Sequence, residues 1–201
     1  DRGINLAKQI LIYPMLDDRN LTPLSLRYAS ADSMGWYTET VDSAGTVGEY
    51  ASLELDSSSF PHIAYYDVGN ADLKYAFRDI GSWHVWTLDS QGDSGSHCSL
   101  ALDGQDHTHI SYHDATAAAL RYMSIEGLYW GYQRVDSTTL GQTGEYTAIA
   151  MTSKGLPVIT YYASFISDGY MLYAQGYHGA FLPLVYRGGV GERWNVDTLT
   201  R

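Results

Sequence analysis

The feature that most constrains the fold is a sequence repeat with a step of 47 residues. Four kinds of position recur at this step, and an Asp-Ser pair closes each unit. They are Leu26, Leu73 and Leu120; Arg27, Lys74 and Arg121; Tyr28, Tyr75 and Tyr122; and Trp36, Trp83 and Trp130. A repeat of this length is one supersecondary unit, which buries its apolar faces only by stacking on neighbouring copies.

Each unit contains four segments that are typical of short β-strands. In the second unit they cover residues 52–56, 61–67, 72–77 and 83–89, and turn-forming Asp, Ser and Gly residues separate them. Both faces of the second segment recur in the next copy, which indicates a sheet packed between two other sheets. Four antiparallel strands in about 47 residues is the period of a propeller blade. We therefore predict an all-β protein, a β-propeller-like array of about four four-stranded blades; a solenoid of stacked sheets is the alternative.

The repeat divides the chain into blades of one domain, residues 1–201. We expect a partial blade at 24–50, full blades at 51–98 and 99–146, and a last blade at 147–201 with an insertion at 175–193. Residues 1–23 fit the repeat poorly and are expected to supply a seam strand near Ile10–Tyr13. Either the ring then closes as an irregular four-bladed one, or a homo-oligomer completes it. The insertion plugs the channel, covers the seam or docks a partner.

The repeat pattern, with "SLELD", "PHIAYYD", "DLKYA" and the following tryptophan, resembles bacterial and archaeal exported β-propeller repeat proteins. They belong loosely to the sialidase-like superfamily, whose repeats carry BNR or Asp-box motifs. The resemblance covers about residues 24–201 and implies an extracellular or cell-surface location. "KQILIYPMLDDR" in residues 1–23 is similar to a segment of hormone-sensitive-lipase-type α/β-hydrolases, but the chain lacks the Gly-x-Ser-x-Gly motif of those enzymes.

Charge and composition exclude several partners. The formal net charge is −11, and no cluster of Lys and Arg is present to neutralise nucleic-acid phosphates. No apolar run reaches the length of a membrane span. Cys98 is the single cysteine, which excludes an intrachain disulfide and a zinc site built on cysteine pairs.

The string Gly92-Asp93-Ser94-Gly95 is close to the sequence around the nucleophile of trypsin-like proteases. Its place in the repeat, however, is the connection between one unit and the next. The equivalent connections at residues 42–50 and 136–146 have no serine at the position of Ser94. We therefore interpret Ser94 as a linker residue and not as a nucleophile.

The mouth of the central channel is the expected site for a ligand, because linkers and strand ends converge there. The repeats bring two kinds of side chain to it. The candidate binding residues are Tyr50, Tyr66, Asp67, His113, Asp114, Tyr146 and Tyr162. If the protein is an enzyme, the candidate catalytic residues are Glu49, Glu145 and His97, with the two carboxyl groups as an acid/base pair for glycoside cleavage. The alternative for the glutamates is that they are solvated loop residues.

We predict no metal and no cofactor. His62 and His109 recur by repeat and are interpreted as packed strand residues, each satisfied by one hydrogen bond. Ca²⁺ held by Asp67 and Asp114, or by Asp103 and Asp106, is the alternative.

For function we favour a non-catalytic binding or interaction module whose ligand is a carbohydrate or another protein. Repeated aromatic residues suit such a role, because one weak stacking site per blade gives multivalent binding. The alternative is a hydrolase, glycosidase-like or esterase-like, with its site at the channel mouth.

Overall fold

The computed structural model describes residues 24–137, 141–165, 169–177 and 180–184. In these ranges all regular structure is β-strand, as Tyr-, Val- and Thr-rich segments between Asp/Gly turns predict. The strands are β1 (Leu26–Asp32), β2 (Gly35–Asp42), β3 (Val47–Leu55), β4 (Pro61–Asp67), β5 (Asp72–Arg78), β6 (Trp83–Asp89), β7 (Ser94–Leu102), β8 (Thr108–Asp114), β9 (Ala119–Glu126), β10 (Tyr129–Ser137), β11 (Gly141–Met151), β12 (Pro157–Phe165), β13 (Gly169–Tyr177) and β14 (Ala180–Leu184).

The strands form four antiparallel sheets in chain order. Sheet I contains β1 and β2, and sheets II, III and IV contain β3–β6, β7–β10 and β11–β14. Each four-stranded sheet is a simple up-and-down meander, and consecutive sheets contact one another mainly through their first strands, β3, β7 and β11. The predicted all-β, propeller-like array of blades is confirmed.

Two details differ from the predicted blade limits. The expected boundaries at 50/51, 98/99 and 146/147 fall inside β3, β7 and β11, because the linkers continue the strands that follow them. Part of the expected insertion, residues 180–184, pairs with β13 as the fourth strand of sheet IV. The seam strand predicted near residues 10–13 lies outside the described residues, as does the predicted repeat echo at 194–199.

The core lies between consecutive sheets, and sheets II and III each bury both of their faces against described neighbours. Separate apolar clusters fill the spaces between sheets I and II, II and III, and III and IV. Ile63, Ile110 and Ile159 occupy equivalent positions on the second strands and are fully buried. The residue pattern predicts this arrangement, because it specifies both faces of each unit.

Glycine at the start of each first strand lets adjacent sheets approach closely. Gly48, Gly95 and Gly144 have φ angles of 103°, 113° and 101°, a region that L side chains rarely adopt. A Cβ atom at Gly95 would lie 2.6 Å from the Cα atom of Leu73, and one at Gly144 would lie 2.7 Å from the Cα atom of Leu120. These glycines therefore fix the distance between neighbouring blades.

A tyrosine–aspartate hydrogen bond links each pair of consecutive sheets. The second strand of each four-stranded sheet carries a buried tyrosine whose hydroxyl donates to an aspartate at the end of the preceding sheet. The pairs are Tyr65–Asp42 at 2.7 Å, Tyr112–Asp89 at 2.9 Å and Tyr161–Asp136 at 2.8 Å. Burial raises the pKa of all three tyrosines, so each hydroxyl stays protonated as a donor.

A cation on the third strand joins this contact at two of the three interfaces. Each cation lies between the aspartate of the preceding sheet and a second aspartate of its own sheet. The ion pairs are Lys74 with Asp42 (2.5 Å) and Asp67 (3.9 Å), and Arg121 with Asp89 (4.0 Å) and Asp114 (2.5 Å). At the third interface the equivalent positions hold Leu172 and Ala163, which are both buried.

Candidate ligand-binding site

Three aromatic residues project from bulges in the first strands. In β3 the register jumps from the pair Glu49–Tyr66 to the pair Ser52–Ala64, which leaves one extra residue on β3. The same shift occurs in β7 and β11. The bulges place Tyr50, His97 and Tyr146 at equivalent positions with φ angles of 52°, 53° and 50°.

A left-handed φ is unusual for a non-glycine residue and costs about 1–2 kcal/mol. Here it recurs at three blades, always at a large ring and always at the same point of the bulge. Backbone strain of this kind is concentrated at functional sites, so its recurrence at the surface indicates a functional position.

The three rings form a continuous line across sheets II, III and IV. The ring centroids of Tyr50 and His97 are 4.3 Å apart, and those of His97 and Tyr146 are 4.5 Å apart. Each ring also contacts a second ring at the end of the second strand of its own sheet. These contacts are Tyr50–Tyr66 at 6.2 Å, His97–His113 at 6.3 Å and Tyr146–Tyr162 at 6.2 Å. We call these six residues the aromatic row.

The row is accessible at its two ends. Tyr50 is 38% exposed and Tyr146 is 67% exposed, whereas His97 between them is half-buried. The second-strand residues lie deeper, since Tyr66 and His113 are buried. The arrangement is therefore a shallow surface with two open aromatic faces, not an enclosed cavity.

Hydrogen bonding distinguishes the deeper residues of sheets II and III. The hydroxyl of Tyr66 donates to Oδ1 of Asp93 over 2.8 Å. At the equivalent place one blade further along, Nδ1 of His113 in sheet III and Oε1 of Gln142 at the start of β11 are both buried, and neither has a partner among the residues that the structure describes. Burial, with a smaller contribution from His97, lowers the pKa of His113 to about 4. His113 is therefore neutral at physiological pH.

His97 is also held in its neutral form. Burial lowers the pKa of His97, and the nearby carboxylate of Glu145 opposes this shift only in part. Glu145 pairs in register with Tyr162, and Glu49 with Tyr66, so both predicted carboxylates flank the row. They belong to sheets II and IV, which are separated by β7 of sheet III.

Two predicted binding residues occupy the interior instead. Asp67 and Asp114 are only 2% and 1% exposed, and each caps the turn after its strand. They are the aspartates of the ion pairs with Lys74 and Arg121. Their carboxylates stabilise the blade interfaces and do not reach the surface of the row.

The sequence also led to predictions for Ser94, His62 and His109. Ser94 is fully buried at the start of β7, and its amide donates to the carbonyl of Ala71 over 3.0 Å, as expected for a blade linker. Nδ1 of His109 pairs with the hydroxyl of Tyr122 at 2.6 Å, and His62 pairs with Tyr75 in the same way. Both histidines are packed strand residues that are held by a hydrogen bond, as predicted.

Metal ligands do not converge anywhere in the described ranges: no group of three or more His, Cys, Asp or Glu residues could hold an ion there. Asp103 and Asp106, the alternative Ca²⁺ ligands, have other partners. Asp103 accepts hydrogen bonds from the backbone of its own turn, and Asp106 binds Ser57 of the preceding blade. Over the same ranges no helix has the length and apolar character needed to cross a membrane.

The sequence identified five members of the row as binding residues, but assigned His97 only to the catalytic alternative. The repeat alignment of Tyr50, His97 and Tyr146 was the available signal for grouping them. Nothing in the sequence shows that the three share a left-handed backbone and lie side by side with their rings tilted, because their contacts join strands about 47 residues apart.

Comparison with known proteins supports the fold alone. No protein-family model and no curated protein matches this chain, so the resemblances to sialidase-like and lipase-type proteins stay predictions. A protein of unknown function from Dyadobacter fermentans matches with a TM-score of 0.59 at 12% identity, over 84% of this chain and 60% of that chain. A triple arginine-to-alanine mutant of AofleA from Arthrobotrys oligospora matches with a TM-score of 0.54 at 10% identity, over 79% of this chain and 48% of that one.

A fucose lectin from Kordia zhangzhouensis, solved in complex with methyl-fucoside, is a weaker structural match. Its TM-score is 0.47 at 17% identity, and the match covers 66% of this chain and 96% of that chain. The match spans 60% and 48% of the length of the two better-matching structures. The two matches with TM-scores of 0.59 and 0.54 show that the fold of this blade array occurs in solved proteins.

Proposed function

We propose that this protein is a non-catalytic binding module that holds a carbohydrate against the aromatic row. The observation that carries the proposal is the line of three rings, each strained into a left-handed backbone and 4.3 and 4.5 Å from the next. Flat aromatic faces suit the apolar C–H face of a sugar ring, while nearby polar groups accept or donate hydrogen bonds.

The shape of the row favours binding over catalysis. The exposed faces of Tyr50 and Tyr146 lie on an open surface, where water is not excluded from a bound ligand. The two glutamates belong to different sheets on either side of β7, and no described observation favours a hydrolase. The hydrolase alternative, in which Glu49, Glu145 and His97 act together, stays a prediction.

A substitution to glycine tests this function while keeping the backbone. In Tyr146→Gly the bulge retains its left-handed conformation without strain, because glycine adopts it freely. We expect carbohydrate affinity to fall at least tenfold, while the free energy of unfolding changes by less than about 1 kcal/mol as strain relief offsets the lost ring contacts. Glycan-array screening followed by titration calorimetry and chemical denaturation gives both values.

The control is Tyr129→Gly, at a tyrosine of β10 that is 84% exposed and outside the row. It should leave affinity unchanged. If Tyr146→Gly destabilises the protein by several kcal/mol and binding is unaffected, the row is framework. Turnover of chromogenic esters or glycosides that Glu49→Gln or Glu145→Gln abolishes would establish the hydrolase instead.

A further inference from the structure

Three carboxylates adjoin the aromatic row: Glu49 and Glu145 pair in register with Tyr66 and Tyr162, and Asp93 accepts the hydrogen bond of the Tyr66 hydroxyl. Burial raises the pKa of Tyr66, and the hydrogen bond to Asp93 and the negative charges of Asp93 and Glu49 raise it further. Burial lowers the pKa of His97, and the negative charge of Glu145 opposes part of this lowering. All three carboxylates therefore lie close enough to the rings to set the local potential.

Positive groups do not balance these carboxylates in the part of the chain that the structure describes. No ion pair joins Glu49, Asp93 or Glu145 to a lysine or arginine there. The cations that have acidic partners, Lys74, Arg78 and Arg121, are paired elsewhere, at the sheet interfaces or with Glu39. His97 and His113 remain neutral because burial lowers their pKa values. Among the residues that the structure describes, the row therefore carries uncompensated negative charge at neutral pH.

A negative surface lined with aromatic rings has a specific chemical preference. A ligand ammonium group above a tyrosine face gains a favourable cation–π interaction. A charge-assisted hydrogen bond to a carboxylate adds to this gain and is roughly twice as strong as a neutral one. The net charge of −11 also raises the local concentration of cations near the protein.

We propose that the row selects amino sugars that carry a free ammonium group, such as the glucosamine units of a deacetylated oligosaccharide. This inference rests on the proposed carbohydrate-binding function and specifies its ligand class. A pyranose ring stacks on Tyr50 or Tyr146, and its ammonium group reaches Glu49 or Glu145, each of which immediately precedes the stacking tyrosine in the sequence. A neutral sugar makes the stacking contact alone.

The test compares three oligosaccharides of equal length by titration calorimetry: a glucosamine oligomer, its fully N-acetylated form and a neutral glucose oligomer. We expect the glucosamine oligomer to bind at least tenfold more tightly than either of the others. This advantage should shrink at high salt, since the carboxylates lie near solvent. The double variant Glu49→Gln/Glu145→Gln should bind all three oligomers with similar, weak affinity.

Glu126→Gln is the matched control, because Glu126 is exposed at the end of β9 and outside the row. It should keep the preference for glucosamine. Equal binding of the three oligomers, or tighter binding of an uncharged one, overturns the amino-sugar inference and leaves carbohydrate binding standing. Failure of all glycans on the array, together with these oligomers, overturns both.

Discussion

The interface between sheets I and II (I/II) and the interface between sheets III and IV (III/IV) bury equivalent positions with different side chains. At I/II, Lys74 bridges Asp42 and Asp67, and the tyrosine hydroxyl of the contact also donates to Asp42. At III/IV the tyrosine–aspartate bond is kept, but the lysine and the second aspartate are replaced together by Leu172 and Ala163.

The joint replacement shows which parts of the contact depend on each other. A buried cation requires its carboxylates, and a buried carboxylate requires its cation, since either one alone carries a large desolvation cost. Replacing both with apolar residues leaves a buried apolar contact, and such a replacement is often neutral in its effect on stability. The tyrosine–aspartate bond and the glycine contact are independent of that exchange, because all three interfaces between the described sheets keep them.

The largest expected effect comes from a substitution at the glycine contact, which the interfaces share. In Gly95→Ala the new methyl group meets the backbone of Leu73 at 2.6 Å in a conformation with φ of 113°. Overpacking and backbone strain together should lower the free energy of unfolding by about 4 kcal/mol, and Gly144→Ala should match it. Urea denaturation measures both.

Gly104→Ala is the control, since that position is open and has no left-handed φ. It should change stability by less than about 0.5 kcal/mol. A mild effect of Gly95→Ala alongside a severe one of Gly144→Ala would show that the two interfaces do not share this constraint.

The next effect separates the charged interface from the apolar one. Lys74→Leu leaves Asp42 and Asp67 buried without their cation, and should cost about 3–4 kcal/mol of unfolding free energy. Lys74→Leu/Asp67→Ala copies the residues of interface III/IV and should recover at least half of that loss. Thermal and chemical denaturation of the two variants measure these losses. If the losses of unfolding free energy were additive, the two replacements would not be coupled.

A pH effect distinguishes Tyr66 of sheet II from His113 of sheet III. The pKa of His113 is about 4 in the folded protein and near 6.5 when unfolded, so the unfolded chain takes up a proton first as pH falls. Stability is therefore complete above pH 6.5 and is lost as pH decreases toward 4, by about 2 kcal/mol at pH 5.

His113→Tyr copies the residue of sheet II and should flatten this part of the pH profile. Denaturation midpoints at pH 5 and pH 7.5 measure the change. An unaltered slope in the variant would assign the pH dependence to the other histidines, whose pKa values burial also lowers.

The smallest effect concerns the tyrosine–aspartate bond itself. Tyr65→Phe removes a donor from Asp42, which is 8% exposed, and should cost about 1.5 kcal/mol. Tyr161→Phe should cost about 0.5–1 kcal/mol, because Asp136 is half-buried and water can replace the lost donor. Equal losses in parallel denaturation experiments would contradict the view that solvent access separates the two interfaces.

The sequence predicted the strands and their order with few errors because the repeat supplies several copies of each segment. β4, β5 and β6 begin at the expected residues, and both faces of β4 are buried as its pattern indicated. The starts of β3, β7 and β11 were missed, since their glycine-containing ends look like linkers. The fourth strand of sheet IV was also missed, because residues 180–184 lack the repeat tryptophan.

By itself, the sequence determined that this chain is a series of β modules, each needing a neighbour on both faces. It also supplied the list of aromatic and acidic residues near the strand ends. Only the tertiary structure decided which of them work together. Asp67 and Asp114 turn inward to buried cations, whereas Tyr50, His97 and Tyr146 turn outward from bulges into one line. The physical reason is that backbone conformation at a bulge and contacts between blades depend on how whole sheets pack, which no single repeat encodes.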